Sequence, residues 1–281
     1  MKLAFTKMEG CGNDYIYVDG FSQQIPTEQK ADLARRLSDR HFGIGADGLI
    51  FINPSAQAVC EMEMYNADGS RSEMCGNGIR CVARFAYDNK ITRETDFAIE
   101  SMGVDRHVHL FLREGEVTAV EVDMGRPILE AARIPVEALA SPVLGETIVV
   151  GGQNYEMTCV SMGNPHCVVF VPDVEAFPLE KIGPQFESHP RFPKRVNAEF
   201  VRCLDEETLQ MRVWERGTGE TLACGTGCCA TAVAAVLNHR TGRKVKVLVP
   251  GGTLFVRWEE ETDHVYLTGP ATPVFSGEIE I

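Results

Sequence analysis

Two Cys-Gly-x-Gly segments, Cys75-Gly76-Asn77-Gly78 and Cys224-Gly225-Thr226-Gly227, lie 149 residues apart in a chain of 281 residues. Each opens a mostly apolar stretch with helical spacing, so the chain must bury two helices whose starts both carry a thiol among glycines. Aligning the chain on the two cysteines brings other features into step. Gly12-Asn13-Asp14-Tyr15 precedes a strand-like run at 16–18, as Gly163-Asn164-Pro165-His166 does at 167–170. Helical stretches follow at 27–40 and 179–188, with Leu33 and Leu37 matched by Ile182 and Phe186. Asp47 falls approximately against Asn197, and Asn66 and Glu215 each stand nine residues before their cysteine. A single Gly-Asn pair is an ordinary turn. The same features in the same order at a nearly constant offset indicate a duplicated domain.

Alternating segments at 59–65, 96–101, 107–112 and 117–124 read as strands, with counterparts at 155–160, 209–214, 244–249 and 254–258. The helices that follow the cysteines, represented by Ile79, Val82, Ala83, Phe85 and Ala86 and by residues 228–237, are apolar nearly all round. Such a helix has to be wrapped by sheet. Its glycine-rich start is expected at the seam between the halves, where backbone can approach a ligand. Turn residues at Gly125-Arg126-Pro127 mark a boundary. The expected domains are 1–124 with 272–281, carrying Cys75, and 125–271, carrying Cys224; the last segment, 274–281, returns to the first domain's sheet.

Twenty-seven basic against 40 acidic side chains, a net charge of −13, argue against nucleic acid or an anionic membrane as partner. The N-terminus interrupts its apolar residues with charges too early for a signal peptide. The longest uncharged run, 222–238, is shorter than the ~20 apolar residues that span a bilayer. The ten cysteines are therefore expected to be reduced thiols in a cytoplasmic protein, and none has zinc-like spacing, so no metal is expected.

A cysteine at a helix start can be an acyl-transfer nucleophile, a redox thiol or a packing residue. Cys60, Cys81, Cys159, Cys167, Cys203, Cys228 and Cys229 fall in apolar strands or helices and read as packing, while Cys11 stays ambiguous beside its turn. Cys75 and Cys224 differ because they occupy equivalent positions in the repeat. A hydrolase needs one thiol and one histidine. Inverting a carbon stereocentre needs a base on one face of Cα and an acid on the other, which two equivalent thiols supply, one starting as thiolate. Neither motif carries the lysine that a pyridoxal phosphate enzyme requires.

On these motifs the chain resembles the diaminopimelate epimerase family over nearly its full length. The resemblance is carried by residues 7–14, 43–48 and 65–70, by Met74 with the first cysteine motif, by 162–166, by Val196-Asn197, and by Trp214-Glu215-Arg216-Gly217 running into the second motif. It implies an α+β fold of two pseudo-two-fold-related domains, each a curled, mainly antiparallel, barrel-like sheet around a central helix, with the active site in the cleft between them. It also implies cofactor-independent interconversion of LL- and meso-diaminopimelate in lysine and peptidoglycan-precursor biosynthesis, by a homodimer. Cys75 and Cys224 are then the acid/base pair, and His166 and Glu215 tune them. Asn13, Asn66, Gly76, Asn77, Asn164, Asn197, Glu215, Arg216, Gly225 and Thr226 hold substrate. Gly48 departs from the pattern, because some members place there a glutamine that contacts substrate. The rivals are a proline or hydroxyproline racemase-like enzyme, a phenazine-biosynthesis-like isomerase and a non-catalytic binding protein of the same fold.

Overall fold

The computed structural model describes residues 2–72 and 75–281; Met74, quoted above with the first cysteine motif, lies outside them. Two compact units divide the chain, residues 1–122 with 268–281 and residues 123–267.

In the first unit the elements are β1 (Lys2–Gly10), β2 (Asn13–Asp19), α1 (Thr27–Ser38), β3 (Gly48–Asn53), β4 (Cys60–Asn66), β5 (Arg71–Ser72), α2 (Gly76–Asp88), β6 (Asp96–Ser101), β7 (Val104–Arg113) and β8 (Glu116–Asp123), joined by the final strand β18 (Thr272–Glu280). The sheet runs β18-β1-β2-β3-β4-β6-β7-β8, with β5 on the end of β4; the β2–β3 and β4–β6 pairs are parallel and the others antiparallel. Helix α2 packs on β1, β2, β4 and β7, strands from both sides of the sheet, so the sheet curls around it. Strand β3 is buried on both faces and is correspondingly a continuous apolar run. Leu49 and Phe51 join Leu33 and Leu37 of α1 in one core, while Ile50 points to α2, lying where a Cβ on Gly78 would approach it to 3.0 Å.

The second unit contains β9 (Glu146–Val150), β10 (Gln153–Ser161), β11 (Pro165–Phe170), α3 (Leu179–Glu187), β12 (Asn197–Cys203), β13 (Thr208–Glu215), β14 (Gly219–Thr221), α4 (Gly225–Leu237), β15 (Lys244–Val249), β16 (Gly252–Trp258) and β17 (Val265–Gly269). Its order, β9-β10-β11-β12-β13-β15-β16 with β14 on the end of β13, repeats the first unit, with β11–β12 and β13–β15 as the parallel pairs. Strand β9 stands where β18 stands in the first unit. Helix α4 packs on β10, β11, β12, β13, β15 and β16. Helix α3 covers the outer face through Ile182 and Phe186 against Ala198 and Phe200.

The sheet-dominated α+β fold expected from the sequence is borne out, with three adjustments. Helix α1 ends at Ser38, before residue 40, because the Asp39 carboxylate accepts the N–H groups of His41 and Phe42 at 2.7 and 2.8 Å and turns the chain. The parallel registers pair Tyr15 with Gly48 and His166 with Asn197, so Gly48, and not Asp47, is the counterpart of Asn197. Helix α2 is not apolar all round. Arg80 is fully buried in it, and its guanidinium donates to Gly76 O at 2.9 Å, Asn77 Oδ1 at 2.9 Å and Pro270 O at 3.1 Å.

Candidate active site

Both motif cysteines cap their helices from an extended conformation, Cys75 at φ −129°, ψ 113° and Cys224 at φ −119°, ψ 109°. An N-cap residue presents its side chain to the unpaired N–H groups of the first turn. Cys75 Sγ accepts the Gly78 N–H at 3.3 Å, whereas Cys224 makes no side-chain cap hydrogen bond, although the nearby Gly227 N–H acts to lower its pKa. The last glycine of each motif is needed for space as well. At Gly227 a Cβ would lie 2.8 Å from Glu199 Oε1 and 3.3 Å from Cys224 Sγ.

In the first unit the structure brings Asn13, Cys75 and Asn77 together. Asn13 Oδ1 accepts from Cys75 Sγ at 3.3 Å and from Asn77 Nδ2 at 3.4 Å, while its own Nδ2 donates to Asp47 Oδ2 at 2.7 Å. A carboxylate can only accept, so Asp47 fixes which end of the amide faces the sulfur. Arg40 holds the other oxygen of Asp47 at 2.9 Å. Tyr15 is buried beside this cluster, and burial, then the charge of Cys75, push its phenol well above the ordinary value. Asn66 lies across from Gly48 at the end of β4 and donates to Ser70 Oγ at 3.0 Å. At Gly48 a Cβ would stand 2.2 Å from Tyr65 O and 2.9 Å from Tyr15 Cε1. The backbone of β4 and the ring of Tyr15 occupy the space a glutamine there would need.

In the second unit Asn164, His166, Thr226 and Cys224 form one chain of polar contacts. His166 Nε2 lies 2.9 Å from Asn164 Oδ1, Asn164 Nδ2 donates to Thr226 Oγ1 at 3.3 Å, and Thr226 Oγ1 is 3.5 Å from Cys224 Sγ. Asn197 accepts the Arg216 N–H at 2.9 Å and donates to Pro165 O at 2.9 Å. Glu215 accepts the Thr221 hydroxyl. The Arg216 guanidinium is apart from these contacts, exposed and donating to Lys194 O at 3.2 Å.

Burial pushes the Cys224 thiol well above its ordinary value, and the charges of Glu215 and Glu199 push the same way; the Thr226 hydroxyl and the Gly227 N–H oppose them. A helix end is worth about 0.3–2 kcal/mol, or roughly one pKa unit. It opposes, and does not outweigh, the burial and the flanking carboxylates that favour the protonated thiol at Cys224.

Glu199 is the residue that sequence reasoning missed. It is fully buried on β12 in the inward row, the place Ile50 takes in the first unit, and its Oε1 lies 2.7 Å from His166 Nδ1. Its one sequence signal was an acid inside the apolar run 196–201. Among the described residues no group of three or more His, Cys, Asp or Glu could hold a metal ion, and no helix is long and apolar enough to cross a membrane.

Two units of one topology, each presenting a thiol at the start of its wrapped helix, define a duplicated α+β fold. The same fold occurs in a phenazine biosynthesis protein of the PhzF family from Bacillus anthracis, with a TM-score of 0.74, 16% identity and 100% of both chains covered. It occurs again in a hydroxyproline epimerase from Agrobacterium vitis with bound trans-4-hydroxy-L-proline, with a TM-score of 0.67, 15% identity and coverage of 99% of this chain and 91% of the other. Identities this low speak for the fold alone. The diaminopimelate epimerase family model matches residues 5–130 and 158–274. Diaminopimelate epimerases from Methanococcus maripaludis strain C5 and Agathobacter rectalis are each 53% identical to the chain, over 99% of it and 100% of their own length. One from Leptospira biflexa is 51% identical over 100% of both. The chain belongs to the diaminopimelate epimerase family, and it is an isomerase.

Proposed function

We propose that the chain interconverts LL- and meso-diaminopimelate by a two-base mechanism in lysine and peptidoglycan-precursor biosynthesis. Cys75 and Cys224 are the acid/base pair: the thiolate takes the Cα proton and the thiol returns one to the opposite face, with roles exchanged in the reverse direction. The observation that carries this reading is the equivalence of the two sulfurs, each capping a glycine-started helix inside the same strand arrangement. The N–H groups at Gly76-Asn77 and Gly225-Thr226 suit the substrate's reacting carboxylate, whose delocalisation takes up carbanion charge. No pyridoxal phosphate is required. His166 and Glu215 tune the thiols, and Asn13, Asn66, Asn164, Asn197, Glu215 and Arg216 bind the substrate, the last two suiting the ammonium and carboxylate of its distal end. The reading extends to a cytoplasmic homodimer whose subunit has two domains, 1–124 with 272–281 and 125–271.

Incubation with LL-diaminopimelate or L-proline in deuterated water tests it. Deuterium is expected at Cα of diaminopimelate and not of proline. Cys75→Ser and Cys224→Ser are each expected to slow epimerisation by roughly 10²–10⁴-fold. Labelling of neither compound, labelling of proline alone, or full activity in both variants overturns the proposal.

A further inference from the structure

We propose that Glu199 is a positioning residue of the reaction: through His166 and Asn164 it directs the Thr226 hydroxyl proton toward the Cys224 sulfur. The inference rests on the reading of Cys224 as a reacting thiol. Glu199 and His166 are both fully buried, with Oε1 2.7 Å from Nδ1, and Glu199 Oε2 has no hydrogen-bond partner among the described residues. His166 Nε2 is 2.9 Å from Asn164 Oδ1. An amide oxygen only accepts, so Nε2 carries a hydrogen. Nδ1 then faces the carboxyl group with one further proton between them, as imidazolium and carboxylate or as imidazole and carboxylic acid. Either arrangement leaves the buried pair neutral, as burial requires. Burial raises the Glu199 pKa and the charge of His166 opposes it, consistent with a shared proton.

That proton count sets the direction of the chain. With Oδ1 engaged by His166, Asn164 has Nδ2 to offer, and it donates to Thr226 Oγ1 at 3.3 Å. The single hydroxyl hydrogen of Thr226 is free for Cys224 Sγ at 3.5 Å, where either atom can donate while the sulfur is a thiol and only the hydroxyl can once it is a thiolate. A glutamine in place of Glu199 can offer its NH2 to Nδ1 and keep Nε2–H, but an apolar side chain there offers nothing to Nδ1, so the ring is no longer held in the tautomer with Nε2–H. Asn164 is then free to turn its Nδ2 toward the ring. Its oxygen captures the Thr226 hydroxyl, and the sulfur loses its donor. In the first unit the equivalent Asn13 is turned the other way, with Nδ2 on Asp47 and Oδ1 accepting from Cys75. The two matched asparagines thus act with opposite polarity, an acceptor at Cys75 and, through Thr226, a donor at Cys224. The charged and titratable groups facing the Glu199–His166 pair are Glu215 from β13, Cys224 at the start of α4 and Cys167 from β11.

The test is nitrogen NMR of ¹⁵N-histidine-labelled protein, read at His166. In the wild type at about pH 8.5 the ring hydrogen is expected on Nε2; a bare Nε2 there overturns the proposal, with no variant needed. In Glu199→Leu the Nε2 proton is expected to be lost from part of the population, while Glu199→Gln, whose NH2 can replace the acid's hydrogen, keeps it; full retention in Glu199→Leu counts against the proposal. Epimerase kinetics supply the second readout. Glu199→Leu is expected to lower kcat roughly ten- to hundredfold with KM moved less than about threefold. Combined with Thr226→Val, which removes the terminal donor, it is expected to add little to the loss of Thr226→Val alone; fully multiplicative losses overturn the chain of action. If wild type fails to label diaminopimelate, the substrate reading falls while the nitrogen measurement still decides the wiring.

Discussion

At Gly227 the space a side chain would fill is already taken by Glu199 Oε1 at 2.8 Å and Cys224 Sγ at 3.3 Å. Gly227→Ala must displace one of them, so it is expected to cost about 1–3 kcal/mol of stability by denaturant unfolding and to reduce epimerisation more than stability loss explains. An alanine variant with wild-type kcat would show that neither group needs its present position. Gly48 is confined more tightly, by the β4 backbone at Tyr65 O. Gly48→Gln is therefore expected to lower the melting temperature and not to gain a substrate contact. The cysteines were legible from sequence because a thiol before Gly-x-Gly at the head of an apolar run has one local meaning, a helix start. Glu199 was not. An acid in an alternating strand reads as solvent-facing, and only the β11–β12 register shows that its row faces α4. Tyr15 and His166 occupy the same register position, so the sequence comparison that paired them was already pointing at the unequal surroundings of the two sulfurs.

Helices α2 and α4 share a length of 13 residues, a cysteine N-cap and an asparagine C-cap whose side chain returns to the last turn, Asn89 to Phe85 O and Asn238 to Ala234 O. They differ in Arg80, whose donors serve three oxygens of the first unit. Arg80→Met is expected to lower stability by about 3 kcal/mol, since it leaves buried acceptors unserved, while Arg84, partly exposed, is expected to matter less when changed. The buried arginine escaped the sequence reading because Arg80, Arg84 and Asp88 recur every four residues and so look like the helix's wet face. Helix α1 is fastened by Lys30 to Glu63 of β4, both buried. Burial pushes the Glu63 carboxyl up, but hydrogen bonds from Lys30, Tyr65 and Asn53 outweigh it and hold it below the ordinary carboxylate range. A carboxyl whose folded pKa is lowered stabilises the fold above its unfolded pKa, about 4.3, and loses that contribution as pH falls through the folded value. Glu63→Gln is accordingly expected to be less stable than wild type at pH 7, with the gap closing below about pH 4; an unchanging gap across that range would contradict it.

At the scale of the whole molecule the repeat is one of topology. Each unit uses the same strand order, the same two parallel pairs and the same pair of helices, yet only the second is continuous in sequence. In the first, β18 supplies the strand that β9 supplies in the second, pairing with β1 from Lys2↔Glu280 to Glu9↔Thr272 with a register shift between Lys7 and Met8. Ending the chain at Ala271 is expected to abolish amide-exchange protection along one edge of β1 and to promote association through the exposed strand; undiminished protection there would show that β18 is dispensable. The alternation of 274–281 made this strand visible in the sequence, but its partner was not, because alternation carries no record of which distant edge it fits. The pairing has a consequence for biosynthesis. On the ribosome, residues 123–267 can form a closed set of contacts as soon as they emerge, whereas β1 has to wait for residues 272–280. The unit begun second is therefore the one that can be completed first, and β1 stays an open edge until β18 has been made.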